Sequence, residues 1–159
     1  MRTDGRAREP GALPATPAGS RRYEECFGCG RSNPAGLRLR FETVGETVQT
    51  EFLPDERHQG YPGLVHGGIL YSLLDETMGQ AGTLYQTWVM TGRLEIRYLA
   101  PVPIGRRLLI TSRVTRRRGR AFEISGEARL ADGPVVARAA GLFLKIPDEL
   151  YRQLTTEAD

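Results

Sequence analysis

One stretch of this chain has a helical hydrophobic period, and it lies among segments that alternate instead. Leu70, Leu73, Leu74, Thr77, Ala81 and Leu84 fall on one stripe at i, i+3/4 and i+7 spacing. That pattern predicts a helix over Gly67 to Leu84, roughly 27 Å long at 1.5 Å per residue. Elsewhere the period is two. Leu37, Leu39 and Phe41 alternate with Arg38, Arg40 and Glu42, so a strand with one buried face is expected there. Gly45-Glu46 is a turn, and Val48, Thr50 and Phe52 continue on a second strand. Pro54 to Gly63, with Pro62 and Gly60 inside it, is a loop. Beyond the helix, Thr87 to Leu99 ends in Leu94, Ile96 and Tyr98 on one face. Leu108, Ile110 and Ser112 follow, then Phe122 to Leu130, then Val135 to Ile146 after an Asp132-Gly133 hairpin signal. Pro147 can open a short terminal helix, Asp148 to Leu154. The order β-β-α-β-β-β-β leaves one economical way to bury the leucine stripe, which is to lay the helix across the sheet.

The 159 residues suit one domain, and 40% hydrophobic with 26% charged residues supports a packed core. Met1 to Arg22 reads as a mobile tail, because Glu9 to Ser20 is rich in Pro, Gly and Ala and holds one large apolar residue, Leu13. The domain is expected over residues 23–159. A net charge of +3 is too small to mark a nucleic-acid or membrane-surface protein. No apolar run approaches a membrane span, and no apolar stretch follows the Arg-rich first residues, so neither a membrane helix nor a signal peptide is expected. A cytoplasmic location is the expectation.

The helix carries a second stripe of Gly68, Ser72, Asp75, Gly79 and Gly82. Glycine inside a helix costs up to about 1 kcal/mol against alanine. The stripe therefore suggests close approach by another backbone or a thin ligand; a weak helix with accidental glycines is the plainer alternative. Asp75 on this stripe reads as a general base or nucleophile in a narrow cleft, or else as an ordinary exposed carboxylate. Glu76 points about 100° away and is expected to face solvent or an interface ion pair. His66-Gly67-Gly68 stands where the loop becomes the helix. The first amides of a helix have no intrahelical partner, and glycine lets an oxyanion approach them closely. An ordinary Gly-rich helix start has the same sequence.

Cys26-Phe-Gly-Cys29 has metal-ligand spacing, but zinc takes four ligands and His58 and His66 lie elsewhere in the chain. Reduced cysteines packing a tight turn, with no metal, are expected. Arg116-Arg-Arg-Gly-Arg120 is a basic turn that serves either as a solvated hairpin or as a phosphate clamp, since Arg presents forked donors.

Taken in order, Gly63-Leu-Val-His-Gly-Gly-Ile69 with Asp75 nine positions after His66, Tyr98-Leu-Ala-Pro-Val-Pro-Ile-Gly105, and Arg118-Gly-Arg120 form a pattern. With the lead-in Cys26-Phe-Gly-Cys-Gly and Asn33-Pro-Ala-Gly-Leu37, it resembles the PaaI-like family of hotdog-fold thioesterases from about Cys26 to Ile146. The resemblance implies an α+β hotdog fold, a long antiparallel sheet wrapped around one central helix. It implies hydrolysis of acyl-CoA or related acyl thioesters by a homo-oligomer, a dimer or a tetramer built from dimers, with sites at the dimer interface. It places the catalytic carboxylate on Asp75, the amide that polarises the thioester carbonyl on Gly67, the motif histidine on His66 and a water-positioning hydroxyl on Thr91. Many members carry Asn six positions before the motif histidine; here that position is Gly60, and Gln59 beside it is the candidate substitute. Gly68 belongs with these substrate contacts, and Arg118 and Arg120 are the candidates for CoA phosphates. No bound cofactor, metal, nucleic acid or membrane is implied. A non-hydrolytic acyl-CoA binding protein on the same fold is the alternative. A dehydratase, which pairs His with Asp or Glu in a different order, fits less well.

Overall fold

The computed structural model describes residues 24–156, so the expected tail, Met1 to Arg22, lies outside them. Six strands form one antiparallel sheet: β1 (Glu42–Val44), β2 (Thr47–Phe52), β3 (Val89–Tyr98), β4 (Leu108–Arg118), β5 (Ala121–Leu130) and β6 (Val135–Lys145). Their spatial order is β1-β2-β4-β5-β6-β3. The third strand in sequence therefore closes one edge. Helix α1 (Gly67–Gln80) lies across the sheet, and helix α2 (Asp148–Thr156) follows the last strand. This is the hotdog arrangement, with the element order read from the hydrophobic periods.

The core forms where the leucine stripe meets the sheet. Leu70, Leu73, Leu74, Thr77 and Met78 of α1 are buried against Val48, Leu108, Ile110, Ile124 and Phe143. Two sequence details let the helix sit so low. Gly126 on β5 has no room for a side chain, because a Cβ there would come 2.7 Å from Met78 Sδ and 3.1 Å from Leu74 Cδ2. Its cross-strand neighbour Ser112 is buried and donates its hydroxyl to the Thr77 carbonyl at 2.7 Å. The Thr77 hydroxyl in turn donates to the Leu73 carbonyl at 2.6 Å. Both buried hydroxyls are thus satisfied, as burial requires.

Three local expectations are corrected. Leu37 to Phe41 forms no strand pairing. Leu37 and Leu39 are buried as their alternation implies, but Arg38 adopts a positive φ of 55°. The Leu37 and Leu39 amides donate to the Phe27 and Gly28 carbonyls at 2.8 and 2.9 Å. The segment is a loop tied to the cysteine lead-in, and its two-residue period records burial rather than sheet. The helix ends at Gln80, four residues earlier than its stripe, and passes into a 3-10 turn over Ala81–Tyr85. Gly82 is not an open position on that stripe: a Cβ there would lie 2.8 Å from the Thr87 carbonyl and against Val89, so its smallness serves this chain's own tight return into β3. Gly79 is open, since a Cβ there would have nothing within 4 Å.

Candidate active site

Asp75 stands in the middle of α1 on the side away from the leucine stripe, half-buried. It faces β3, where the register slips: Thr91 pairs with Phe143 and Arg93 with Leu142, so Gly92 is an extra residue. A bulge of this kind re-aims the neighbouring side chain. Thr91 beside it donates its hydroxyl to Asp75 Oδ1 at 2.6 Å, a short charge-assisted hydrogen bond. The bond fixes the carboxylate through Oδ1, and Oδ2 has no hydrogen-bond partner among the described residues. Asp75 and Thr91 open on a cleft of about 510 Å³ whose apolar walls include Trp88, Met90, Ile146 and Leu154. The volume falls within the range of small-molecule sites.

The loop before α1 builds a second feature. A 3-10 turn over Glu56–His58 is capped by Asp55, and the His66 amide donates to the His58 carbonyl at 2.8 Å. His66 then caps α1: its Nδ1 accepts from the Gly68 amide at 2.8 Å. The Gly68 amide is therefore occupied, and the Gly67 amide has no partner among the described residues. Gly60 packs on the imidazole, since a Cβ there would lie 3.1 Å from His66 Cδ2. Gln59 Oε1 accepts from the Gly63 amide at 3.2 Å, so the side chain folds back on its own loop. Tyr98, to which the sequence assigns no role of its own, donates its hydroxyl to the Gly67 carbonyl at 2.9 Å and ties the helix start to β3. Its place at the end of the Leu94, Ile96 alternation indicates a face but no partner.

The expected residues therefore gather in three places. Asp75 and Thr91 meet. His66, Gly67, Gly68, Gly60 and Gln59 cluster at the helix start. Arg118 and Arg120 flank Gly119, with φ 57°, in the β4–β5 turn. Neither arginine has an ion pair among the described residues, whereas Arg106 pairs with Asp132 at 2.9 Å and Arg107 with Glu51 at 3.1 Å. The Arg120 carbonyl accepts from the Lys145 amide, one residue before Ile146 of the cleft wall.

Glu76 does not face solvent. It is half-buried and turns toward the lead-in, where Cys26 and Cys29 are free thiols. One donor atom from each of the three lies within 4.8 Å of the others, which makes them the possible metal ligands among the described residues. A hydrogen bond from the Cys29 thiol, joined by the Cys29, Gly28 and Gly30 amides, holds Cys26 well below the usual thiol range. The same bond, with burial and the Glu76 charge, pushes Cys29 up. Burial, then the Cys26 charge, raises Glu76.

Residues 62–137 match the family model of the thioesterase superfamily. Over 96 residues the chain is 32% identical to the acyl-coenzyme A thioesterase THEM4 of Xenopus laevis, a match covering 60% of this chain. The chain spans about two fifths of that relative's length, 43%. Among solved structures, the thioesterase superfamily protein RHA08564 superposes with a TM-score of 0.72 at 30% identity, covering 77% of this chain and 61% of that one. The PaaI protein of E. coli shares the fold at 19% identity, with a TM-score of 0.66 over 70% of this chain and 81% of that one. Over residues 62–137 the chain is similar to the thioesterase superfamily, and it carries the hotdog fold of these solved structures.

Proposed function

We propose that this protein hydrolyses acyl-CoA thioesters to the free acid and the thiol, with Asp75 as the catalytic carboxylate. The observation that carries the reading is the Thr91–Asp75 hydrogen bond in the lining of the cleft. A carboxylate locked on one oxygen by a hydroxyl presents the other to a water or to the thioester carbon. As a base, Asp75 takes a proton from water while the water oxygen bonds to the carbonyl carbon. The tetrahedral oxyanion collapses, the C–S bond breaks, and the proton passes to the departing thiolate. As a nucleophile, Asp75 bonds to the carbonyl carbon, the C–S bond breaks to release the thiolate, and water opens the resulting mixed anhydride to the free acid and restores Asp75. Similarity to the THEM4 thioesterases supports the substrate class.

The oxyanion donor is the Gly67 amide of a second copy. Gly67 and Asp75 lie eight residues apart on α1, so about 12 Å separates them along the axis at 1.5 Å per residue. One carbonyl cannot touch both within a chain. The edge position of β3, with Met90 and Tyr98 half exposed, supports pairing of two copies along that strand. The assembly is a dimer or a dimer of dimers. Arg118 and Arg120 hold the CoA phosphates, a role supported by the lack of an ion pair to either among the described residues. Among the described residues no helix is long and apolar enough to cross a membrane. The proposed location is the cytoplasm, which suits two free thiols.

The test is release of free thiol from a panel of acyl-CoAs, read with a colorimetric thiol reagent. Turnover by the wild type that disappears in Asp75→Ala supports the hydrolase. Tight binding of every acyl-CoA without thiol release overturns it in favour of an acyl-CoA binding protein.

A further inference from the structure

The cysteine lead-in is built more elaborately than two buried thiols require. The chain turns sharply at Cys26: the Gly30 amide donates to the Cys26 carbonyl at 2.9 Å, and the Ser32 amide to the Glu24 carbonyl at 2.8 Å. Gly30 is obligatory, and Gly28 leaves the room that the Glu76 side chain fills. A Cβ on Gly30 would overlap the backbone of Glu24 and Cys26, and one on Gly28 would overlap the Glu76 carboxylate. The turn thus sets both sulfurs on one side and brings Glu76, 47 positions beyond Cys29, directly over them.

The three side chains bring two sulfurs and a carboxylate to one place. Among the described residues, the polar side chains that meet Glu76 are those of Cys29 and Gln80, the latter donating to Oε1 at 3.5 Å. Half-buried and lining the same cleft, these groups offer an ion three ligand atoms at once. Two thiolates and a carboxylate are ligands that zinc accepts, at about 2.3 Å for sulfur and about 2.0–2.2 Å for oxygen. Tetrahedral donors on such an ion lie about 3.6–3.8 Å apart. The three donors here, all within 4.8 Å of one another, reach that spacing by side-chain rotation.

We propose that Cys26, Cys29 and Glu76 bind a zinc-class divalent ion that ties the lead-in to α1 beside the cleft. Three protein ligands leave the fourth position to water on the cleft side, where all three residues form part of the wall. Binding releases the thiol protons, because sulfur ligates zinc as thiolate. The lead-in also holds Leu37 and Leu39 in the core through the Phe27 and Gly28 carbonyls, so the ion would fasten that whole segment. The site is independent of the hydrolase reading, because no step of that reaction uses it.

The test uses the full chain without a histidine tag, purified under reducing conditions without chelator. Elemental analysis should find about one zinc per chain, and chelator-stripped protein should take up cobalt with a thiolate-to-metal charge-transfer band. Removing the ion should lower the melting temperature, and zinc should restore it. Glu76→Gln should weaken cobalt binding at least about tenfold, and Cys29→Ser should abolish the charge-transfer band. Stripped wild type gives an answer even where a variant fails to fold. Absence of both zinc and the cobalt band in reduced wild type overturns the proposal, and so does undiminished binding in the folded Cys29→Ser variant. A Cys26–Cys29 disulfide formed readily in metal-free wild type that binds no cobalt would make the cluster a redox pair instead.

Discussion

At the scale of single residues, Asp75 carries the heaviest burden. Asp75→Asn keeps size and hydrogen bonding but removes the base and the nucleophile. It should retain fold and oligomer and lose most turnover; a purified variant within a few-fold of wild type would sink the assignment. Thr91→Val removes the donor to Oδ1 while keeping the β-branched shape on β3. A net charge-assisted bond of about 1.5–3 kcal/mol predicts a fall in kcat of about ten- to a hundredfold, with KM little changed. Unchanged kcat would show that the carboxylate is positioned by packing alone. Arg118→Ala with Arg120→Ala should raise KM for acyl-CoA with little effect on kcat, and the effect should fade with an acyl-pantetheine that lacks the nucleotide. If KM stays put at low salt, the turn is only a solvated hairpin. These residues could be named from the sequence because each is a chemical type at a motif spacing. Glu76 and Tyr98 could not be placed. Their roles depend on what stands opposite them, and Gly28 and Gly67 are distant in the chain.

At the scale of elements, α1 serves the core and the cleft with opposite faces. Leu73 is fully buried under the sheet, so Leu73→Ala should destabilise by about 2–5 kcal/mol in denaturant titration. Gly79 faces the cleft with nothing within 4 Å of a Cβ. Gly79→Ala should stabilise the chain by roughly 0.5–1 kcal/mol through helix propensity and, by narrowing the cleft, raise KM. A variant that gains stability with unaltered KM would show that substrate does not pass that position. The elements were legible where period and punctuation agreed: the leucine stripe, the Asp132-Gly133 hairpin and Pro147 before the last helix. They failed where burial imitated sheet. Leu37 and Leu39 alternate because both enter the core, yet their amides bond to the lead-in and the segment pairs in no ladder. Gly82 misled for a related reason, since smallness on a helix does not say whose backbone comes close.

At the scale of the whole molecule, the proposed site is incomplete in one chain. The Gly67 amide, unpartnered among the described residues, and the Asp75 carboxylate sit at separate places on one helix, and in the proposed mechanism a second copy brings one of each to a thioester. Light scattering should therefore give a mass of at least twice 17.6 kDa across a wide concentration range. A monomer that remains fully active would exclude a shared site. By itself the sequence determined the architecture, because helix and strand periods are local and one apolar stripe has only one sheet to cover. It supplied the candidates for the chemistry as well: Asp75, the glycines at the helix start and the arginines of the β4–β5 turn are legible as residue types. Only the tertiary structure decided who meets whom. The bulge at Gly92 aims Thr91 at Asp75, and the close-packed turn at Gly28 and Gly30 sets two sulfurs under Glu76. Such contacts join residues far apart in the chain, and they are fixed by packing that no local pattern records.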